Sequence, residues 1–405
     1  MNNVLKNRRG YRLFCVDCNL NIDELDSHTK CSKCGGVLDV EYDYEYLLTK
    51  KPKDFRGFLP LKDVKSLVTL KEGNTPLYKV QALGEKHGLA NLYVKNEGAN
   101  PTGVFKDRGS SLEITKALEA GAKALIIASS GNMAASCTAY ASKAGLKIYV
   151  LVPEDTPVGK LSQILSYGAH VIKIKGNYSE CVEISEQIAK DHNLYQVGDY
   201  VFRREGQKLL AYEVVEQMEK HKLDAVIVST GAGTHIAGLW KGFVECGKMG
   251  LIKKLPKMFV VQPDGCAVLV QAFEKKKEKY SRWDKANTIC SAVAVTDPVD
   301  GNLALEAVYE SGGAAVAVSD KEALNAQKEL ASLEGIFTEP SSALAIAAVR
   351  SLKRRKLISL KEHIVCIATG NGLKDPLTPL QNLPVPKTLE ADFSVVSRYI
   401  KSIHR

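Results

Sequence analysis

The chain has 405 residues, 45% of them hydrophobic, a formal net charge of +9 and 10 cysteines. That length suits two or three domains with sizeable cores. No apolar run reaches the ~18 residues of a membrane span, and the opening Met1-Asn2-Asn3-Val4-Leu5-Lys6 has no secretory stretch, so a cytoplasmic protein with no membrane partner is expected. Its basic residues are dispersed, with only short clusters at Lys275-Lys276-Lys277 and Arg354-Arg355-Lys356, which argues against nucleic acid and for a site that gathers small anions.

The first 55 residues hold paired cysteines and no alternation of strand and helix. Cys15-x-x-Cys18 and Cys31-x-x-Cys34 stand twelve residues apart, and Gly35-Gly36 follows the second pair. Such turns aim four thiolates at one ion, so the spacing predicts a structural zinc with a closed shell; reduced cysteines packed as small hydrophobes are the alternative. Next comes Asn100-Pro101-Thr102-Gly103-Val104-Phe105-Lys106-Asp107-Arg108-Gly109, where turn residues lead into a helix and present a lysine at its mouth. A partly buried lysine near other cations is a candidate Schiff-base nucleophile; a surface lysine is the ordinary reading.

From about residue 110 short apolar runs alternate with helical stretches. Strands are predicted at Ala124 to Ala128, Lys147 to Val152, His170 to Ile174, Ala225 to Ser229, Met258 to Gln262 and His363 to Ala368, with helices at Ala134 to Lys143 and Ser179 to Lys190. Continuously apolar strands separated by helices predict parallel sheets covered on both faces, an α/β protein. Ser129-Ser130-Gly131-Asn132 follows one strand and opens a helix, where free N–H groups suit a carboxylate, although an ordinary N-cap reads the same way. Thr230-Gly231-Ala232-Gly233-Thr234 follows another strand as a candidate phosphate cradle; it is neither a P-loop nor a full dinucleotide fingerprint.

Taken together, these segments resemble the fold type II pyridoxal-phosphate enzymes, and most closely the threonine synthases. The resemblance runs from Cys15 to about Pro376. It is carried by the segments above and by Glu72-Gly73-Asn74-Thr75-Pro76-Leu77, Arg204-Glu205-Gly206-Gln207-Lys208, Glu339-Pro340-Ser341-Ser342-Ala343 and Thr369-Gly370-Asn371-Gly372-Leu373-Lys374-Asp375-Pro376. It implies two parallel-sheet three-layer domains plus a small zinc-ribbon-like arm. Expected boundaries are 1–55 for the arm, 56–115 with 205–385 for the large cofactor domain, 116–204 for a small inserted domain and 386–405 for a tail.

The resemblance further implies that Lys106, next to Phe105 in the cofactor site, holds pyridoxal 5'-phosphate as a Schiff base and moves the substrate Cα proton. Asn132 would bond the cofactor 3-hydroxyl. Gly231, Ala232, Gly233, Thr234 and His235 would cradle its phosphate, and Thr369 would face the pyridine nitrogen. Ser130, Gly131 and Met133 would line the substrate carboxylate pocket, and Arg203 would bind a substrate phosphate. The implied reaction is that of a threonine synthase, O-phosphohomoserine plus water giving threonine and phosphate, in a homodimer. Departures from the family pattern fall on the substrate side: Val104, Met133, Val197-Gly198-Asp199-Tyr200 and Asn371 stand where polar residues are common. They leave room for a paralogue acting by β-replacement or β-elimination on another activated amino acid, such as O-phosphoserine in a cysteate synthase-like reaction, or for a non-catalytic protein that keeps the fold.

Overall fold

The computed structural model describes residues 10–23, 29–49, 54–156, 158–218 and 222–403. Strands β1 (Tyr11–Cys15), β2 (Asn21–Ile22) and β3 (Leu38–Tyr42) form an antiparallel sheet in the order β2-β1-β3, followed by helix α1 (Tyr44–Thr49). Alternate residues Tyr11, Leu13, Val40 and Tyr42 are buried, as the period of two requires. They pack against Phe58, Val201, Phe202 and Tyr212, and Asp39 pairs with Lys241 at 2.7 Å and Arg204 at 3.3 Å, so the cysteine-bearing segment is docked on the rest of the molecule. Within the expected 1–55 arm, residues 1–9, 24–28 and 50–53 lie outside the described residues.

Strand β4 (Leu77–Lys79), helix α2 (Gln81–His87) and strand β5 (Leu92–Asn96) lead into helix α3 (Lys106–Glu119). The chain then builds one parallel sheet from β6 (Ala124–Ala128), β7 (Lys147–Pro153), β8 (His170–Ile174) and β9 (Tyr195–Gln196), in the order β8-β7-β6-β9. Helices α4 (Asn132–Lys143), α5 (Val158–Ser166) and α6 (Tyr178–Asp191) connect its strands. After α7 (Val201–Gln207) and α8 (Leu209–Gln217) the chain returns to the sheet that β5 began. That sheet adds β10 (Ala225–Ser229), β11 (Lys257–Pro263), β12 (Ala314–Val318) and β13 (Ile364–Ala368), in the order β12-β11-β10-β13-β5-β4, parallel except at β4. Helices α9 (Thr234–Lys248), α10 (Val268–Glu274), α11 (Gly301–Glu310), α12 (Asp320–Glu334) and α13 (Pro340–Arg354) cover its faces, and α14 (Phe393–Ile403) ends the described chain.

Every residue of β6, β10 and β13 is buried, which is why these strands read as unbroken apolar runs. Two apolar clusters lie on opposite faces of the larger sheet, one including Leu83, Val316 and Leu344, the other Leu239, Phe243 and Leu305. The predicted strands agree with the structure to within a residue or so. The mixed α/β architecture with parallel sheets is therefore as expected, while β5 and β12 were not anticipated.

Helix α3 departs from the usual surface pattern: Asp107 through Ala117 are all buried, although most are polar. The helix packs against α4 and α7, and partners from distant segments satisfy its charges. Arg108 donates to Glu97 at 2.6 and 2.7 Å and to Glu213 at 2.8 Å, and Lys95 pairs with Glu213 from the other side. Such a closed network fixes the first turn of α3, and with it Lys106.

Candidate active site

Lys106 is the first residue of α3. The turn before it is tied to the loop after β13: the Phe105 N–H donates to the Thr369 carbonyl at 2.9 Å, Val104 bridges Gly370, and the Asn371 N–H donates to the Gly103 carbonyl at 2.8 Å. Gly103 has φ +83°, a left-handed turn that glycine makes without strain. Lys106 therefore stands at the carboxyl ends of the parallel strands, where open α/β sheets leave their ligand crevice. Its half-buried amine lies 5.3 Å from the Phe105 ring centroid and makes no hydrogen bond or ion pair among the described residues.

The crevice holds about 490 Å³ of empty space, counting its open mouth. Its walls bring together all nine residues expected to hold the cofactor: Phe105, Lys106, Asn132, Gly231, Ala232, Gly233, Thr234, His235 and Thr369. Gly231 and Gly233 make the turn between β10 and α9. A Cβ at Gly231 would come 3.0 Å from Val293 Cα, and one at Gly233, where φ is +88°, would come 2.5 Å from the Asp300 carbonyl oxygen. The N–H groups at the start of α9 have no intrahelical partners, and at this helix end they meet the positive pole of the dipole. The His235 ring meets Phe105 at a tilt of 39° with ring centroids 4.0 Å apart, and burial pushes its pKa down to about 3, so its imidazole is neutral. Neither ring nitrogen of His235, nor either amide atom of Gln207 in the same wall, has a partner among the described residues. Buried polar atoms without partners call for an explanation, and a polar ligand in the crevice would supply one.

Thr369 follows β13, and its hydroxyl is 2.6 Å from Ser342 Oγ, which accepts the Gly370 N–H at 2.7 Å. Asn132 begins α4 and donates from Nδ2 to the Glu339 carboxylate at 3.0 and 3.2 Å. Glu339 is 5% exposed, and burial raises its pKa. It is a cavity residue to which sequence reasoning gave no role, although its Glu-Pro-Ser-Ser-Ala segment was singled out. Asp199 also lines the cavity, in the stretch that departs from the family pattern.

The residues expected to meet substrate are less uniformly placed. Ser130, Gly131 and Met133 flank Asn132 on the turn from β6 into α4, and a Cβ at Gly131 would meet nothing within 4 Å. Arg203 does not line the cavity. It is fully buried in α7, paired with Glu113 of α3, with Nε donating to the Gly198 carbonyl at 2.8 Å and Nη1 to Ser110 at 3.2 Å.

In the arm, the sulfurs of Cys15, Cys18, Cys31 and Cys34 all lie within 4.8 Å of one another, with Cys15 to Cys34 at 3.5 Å and Cys18 to Cys31 at 3.7 Å. Four thiolates about 2.3 Å from a tetrahedral zinc stand roughly 3.8 Å apart, so the cluster suits that ion. Gly35 supplies the left-handed turn, with φ +72°, and a Cβ at Gly36 would fall 2.2 Å from Asp17 Oδ2.

A lysine at the mouth of a crevice, a glycine-rich turn beside it and a hydroxyl at a strand end make a candidate cofactor site. The family model for pyridoxal-phosphate dependent enzymes matches residues 68–370, and the chain belongs to that family. Within it, the chain is a threonine synthase-like enzyme. It is 40% identical to the threonine synthase of Methanocaldococcus jannaschii over 402 residues, covering 96% of this chain and 99% of that one, and 37% identical to the threonine synthase of Methanosarcina acetivorans over 96% and 98%. Solved structures agree on the fold. Maize serine racemase superposes with a TM-score of 0.67 at 21% identity, covering 82% of this chain and 94% of its own, and the threonine deaminase isoform 2 of Solanum lycopersicum with 0.66 at 22%, covering 76% and 86%. No helix among the described residues is long and apolar enough to cross a membrane.

Proposed function

We propose that the enzyme converts O-phosphohomoserine and water to threonine and phosphate, with Lys106 as its catalytic residue. The observation that carries this reading is the convergence of nine residues on one crevice around an amine with no hydrogen-bond or ion-pair partner among the described residues. Lys106, Asn132, Gly231 to His235 and Thr369 would hold pyridoxal phosphate, and the residues present fit it: the glycines leave room for a phosphate, and the atoms of His235 and Gln207 await partners. When bound, the cofactor supplies an electron sink for negative charge developing at the substrate Cα.

The chain's own groups then divide the work. Lys106, once free, takes and returns the Cα proton. The turn into α4, from Ser130 to Met133, orients the substrate carboxylate through N–H groups without intrahelical partners. Neutral His235 adds no charge to the anion cradle and can donate one hydrogen bond to it. The Thr369 hydroxyl, held by Ser342, is a weaker partner for a pyridine nitrogen than a carboxylate is, which tempers the sink and favours elimination and replacement over transamination. Arg203 would receive the substrate phosphate, as guanidinium geometry suits.

The second reading, β-replacement on another activated amino acid such as O-phosphoserine, is favoured by the commitment of Arg203 to Glu113 and by apolar Val104, Met133 and Val197. Incubating the cofactor-loaded enzyme with each substrate separates the two. The first reading requires threonine and phosphate in equal amounts from O-phosphohomoserine; turnover confined to O-phosphoserine would establish the second. For the arm we propose one structural zinc on Cys15, Cys18, Cys31 and Cys34. Assembly as a homodimer is also proposed, in keeping with Leu373, Leu377 and Leu380 standing 60 to 74% exposed, and light scattering tests it.

A further inference from the structure

We propose that Glu113 is a built-in competitor for Arg203: its carboxylate occupies the guanidinium that a substrate phosphate needs, so an anion docks there only as Glu113 gives way and takes up a proton. The inference rests on the phosphate-binding role proposed above for Arg203.

The geometry leaves Arg203 fully committed. Its Nη2 meets Glu113 and, at 2.9 Å, the sulfur of Cys137; Nη1 reaches Ser110, and Nε the Gly198 carbonyl. The other Glu113 oxygen accepts the Gly198 N–H at 2.8 Å. The pair thus grips the Gly198 peptide at both its N–H and its carbonyl, and the next residue, Asp199, lines the cavity with a carboxylate that has no hydrogen-bond or ion-pair partner among the described residues. Arg203 therefore lies one residue behind the wall. Splitting the pair frees the Gly198 peptide on both sides.

The groups facing Glu113 are Arg203 from α7, Cys137 from α4, and Asp199 and Tyr200 from the loop after β9, with Ser110 on its own helix. Only Arg203 among them is cationic. Burial pushes the Glu113 carboxyl up to about 7, with Arg203 opposing the rise and Asp199 adding to it. A proton taken up near neutral pH leaves a neutral acid, which tolerates burial, beside a guanidinium whose charge is then uncompensated and open to an anion. Below about pH 7 the receptor stands ready. Above it, each bound anion must bring a proton in, and affinity falls by up to tenfold per pH unit.

Sulfate, which stays a dianion from about pH 6 to about pH 8.5, is the probe, titrated into the cofactor-loaded enzyme by calorimetry. Wild-type affinity is expected to fall about five- to sixfold between pH 7 and pH 8, approaching tenfold per unit only above that. Glu113→Gln, which preserves shape and an acceptor for Gly198, is expected to bind about tenfold more tightly than wild type at pH 8 with a flat pH profile. Its improvement on O-phosphohomoserine should appear as a lower KM rather than a higher kcat. Arg203→Gln should abolish binding in both backgrounds. Binding that needs Arg203 but shows neither the wild-type pH slope nor the Glu113→Gln gain would overturn the competitor role alone; binding indifferent to Arg203→Gln would overturn the phosphate site beneath it as well. The wild-type series requires no variant, so it decides the matter even if Glu113→Gln folds poorly.

Discussion

Replacing Gly131 with alanine separates the fold's requirements from the site's. Gly131 caps α4 with φ −117° and ψ −151°, an extended conformation that alanine adopts freely, and an added methyl would meet no atom within 4 Å. Gly→Ala at a compatible backbone position typically stabilises a protein by about 0.4 to 1 kcal/mol, so the melting temperature should hold or rise slightly. Affinity for pyridoxal phosphate should not change, because the cradle at Gly231 to His235 is untouched. The methyl would nevertheless stand in the open space beside the first turn of α4, where the substrate carboxylate is proposed to lie. Losing one hydrogen bond to a charged group costs about 1.5 to 3 kcal/mol, so kcat/KM should drop roughly ten- to a hundredfold. Gly233→Ala is the contrasting variant: its Cβ would come 2.5 Å from the Asp300 carbonyl oxygen at a left-handed φ, so cofactor affinity and stability should fall together. Thermal unfolding, cofactor titration by absorbance and steady-state kinetics on both variants form the assay. A Gly131→Ala enzyme with kcat/KM within about twofold of wild type would refute the placement of the carboxylate.

Arg108→Met should destabilise the protein by about 3 to 5 kcal/mol in urea unfolding, because it strands Glu97, fully buried, without its guanidinium; a loss under about 1 kcal/mol would deny the network its role in fixing α3. His235 has its pKa depressed from 6.5 to about 3 in the fold, so the unfolded chain binds the extra proton first and His235 stabilises the apo enzyme above pH 6.5. That contribution is lost as pH falls toward 3, at about 1.4 kcal/mol per unit, and His235→Asn should remove this component from the acid limb of the stability curve. Metal analysis should find one zinc per chain, absent from Cys31→Ser, with a lower melting temperature for that variant and unchanged cofactor absorbance; zinc-free wild type of full stability would count against the arm's metal.

The fold was legible wherever burial is uniform. The runs at Ala124–Ala128 and Ala225–Ser229 are apolar throughout because helices cover both faces of their sheets. β5 is not legible as a strand because it carries Lys95, buried through the Thr75 carbonyl and through Glu213 and Gln217, which lie 118 and 122 residues further along the chain. β12, Ala-Ala-Val-Ala-Val, is built from small residues that suit a helix as well as a strand. The cofactor residues could be found because each sits in a local signal, a glycine turn or a strand-to-helix junction. Glu339 and Glu113 could not be assigned roles in the same way. Each owes its position to a partner distant in sequence, Asn132 for the one and Arg203 for the other, and neither an acidic N-cap nor an acidic residue within a helix gives a local sign of being buried. Arg203 itself could be picked out by resemblance, but its burial against α3 depends on tertiary packing that no motif records.

The most direct test of the account is mass spectrometry of the enzyme reduced with borohydride and digested. A pyridoxyl group on Lys106, and none after Lys106→Ala, is the predicted result. An unmodified Lys106 in enzyme that carries the cofactor elsewhere would contradict it.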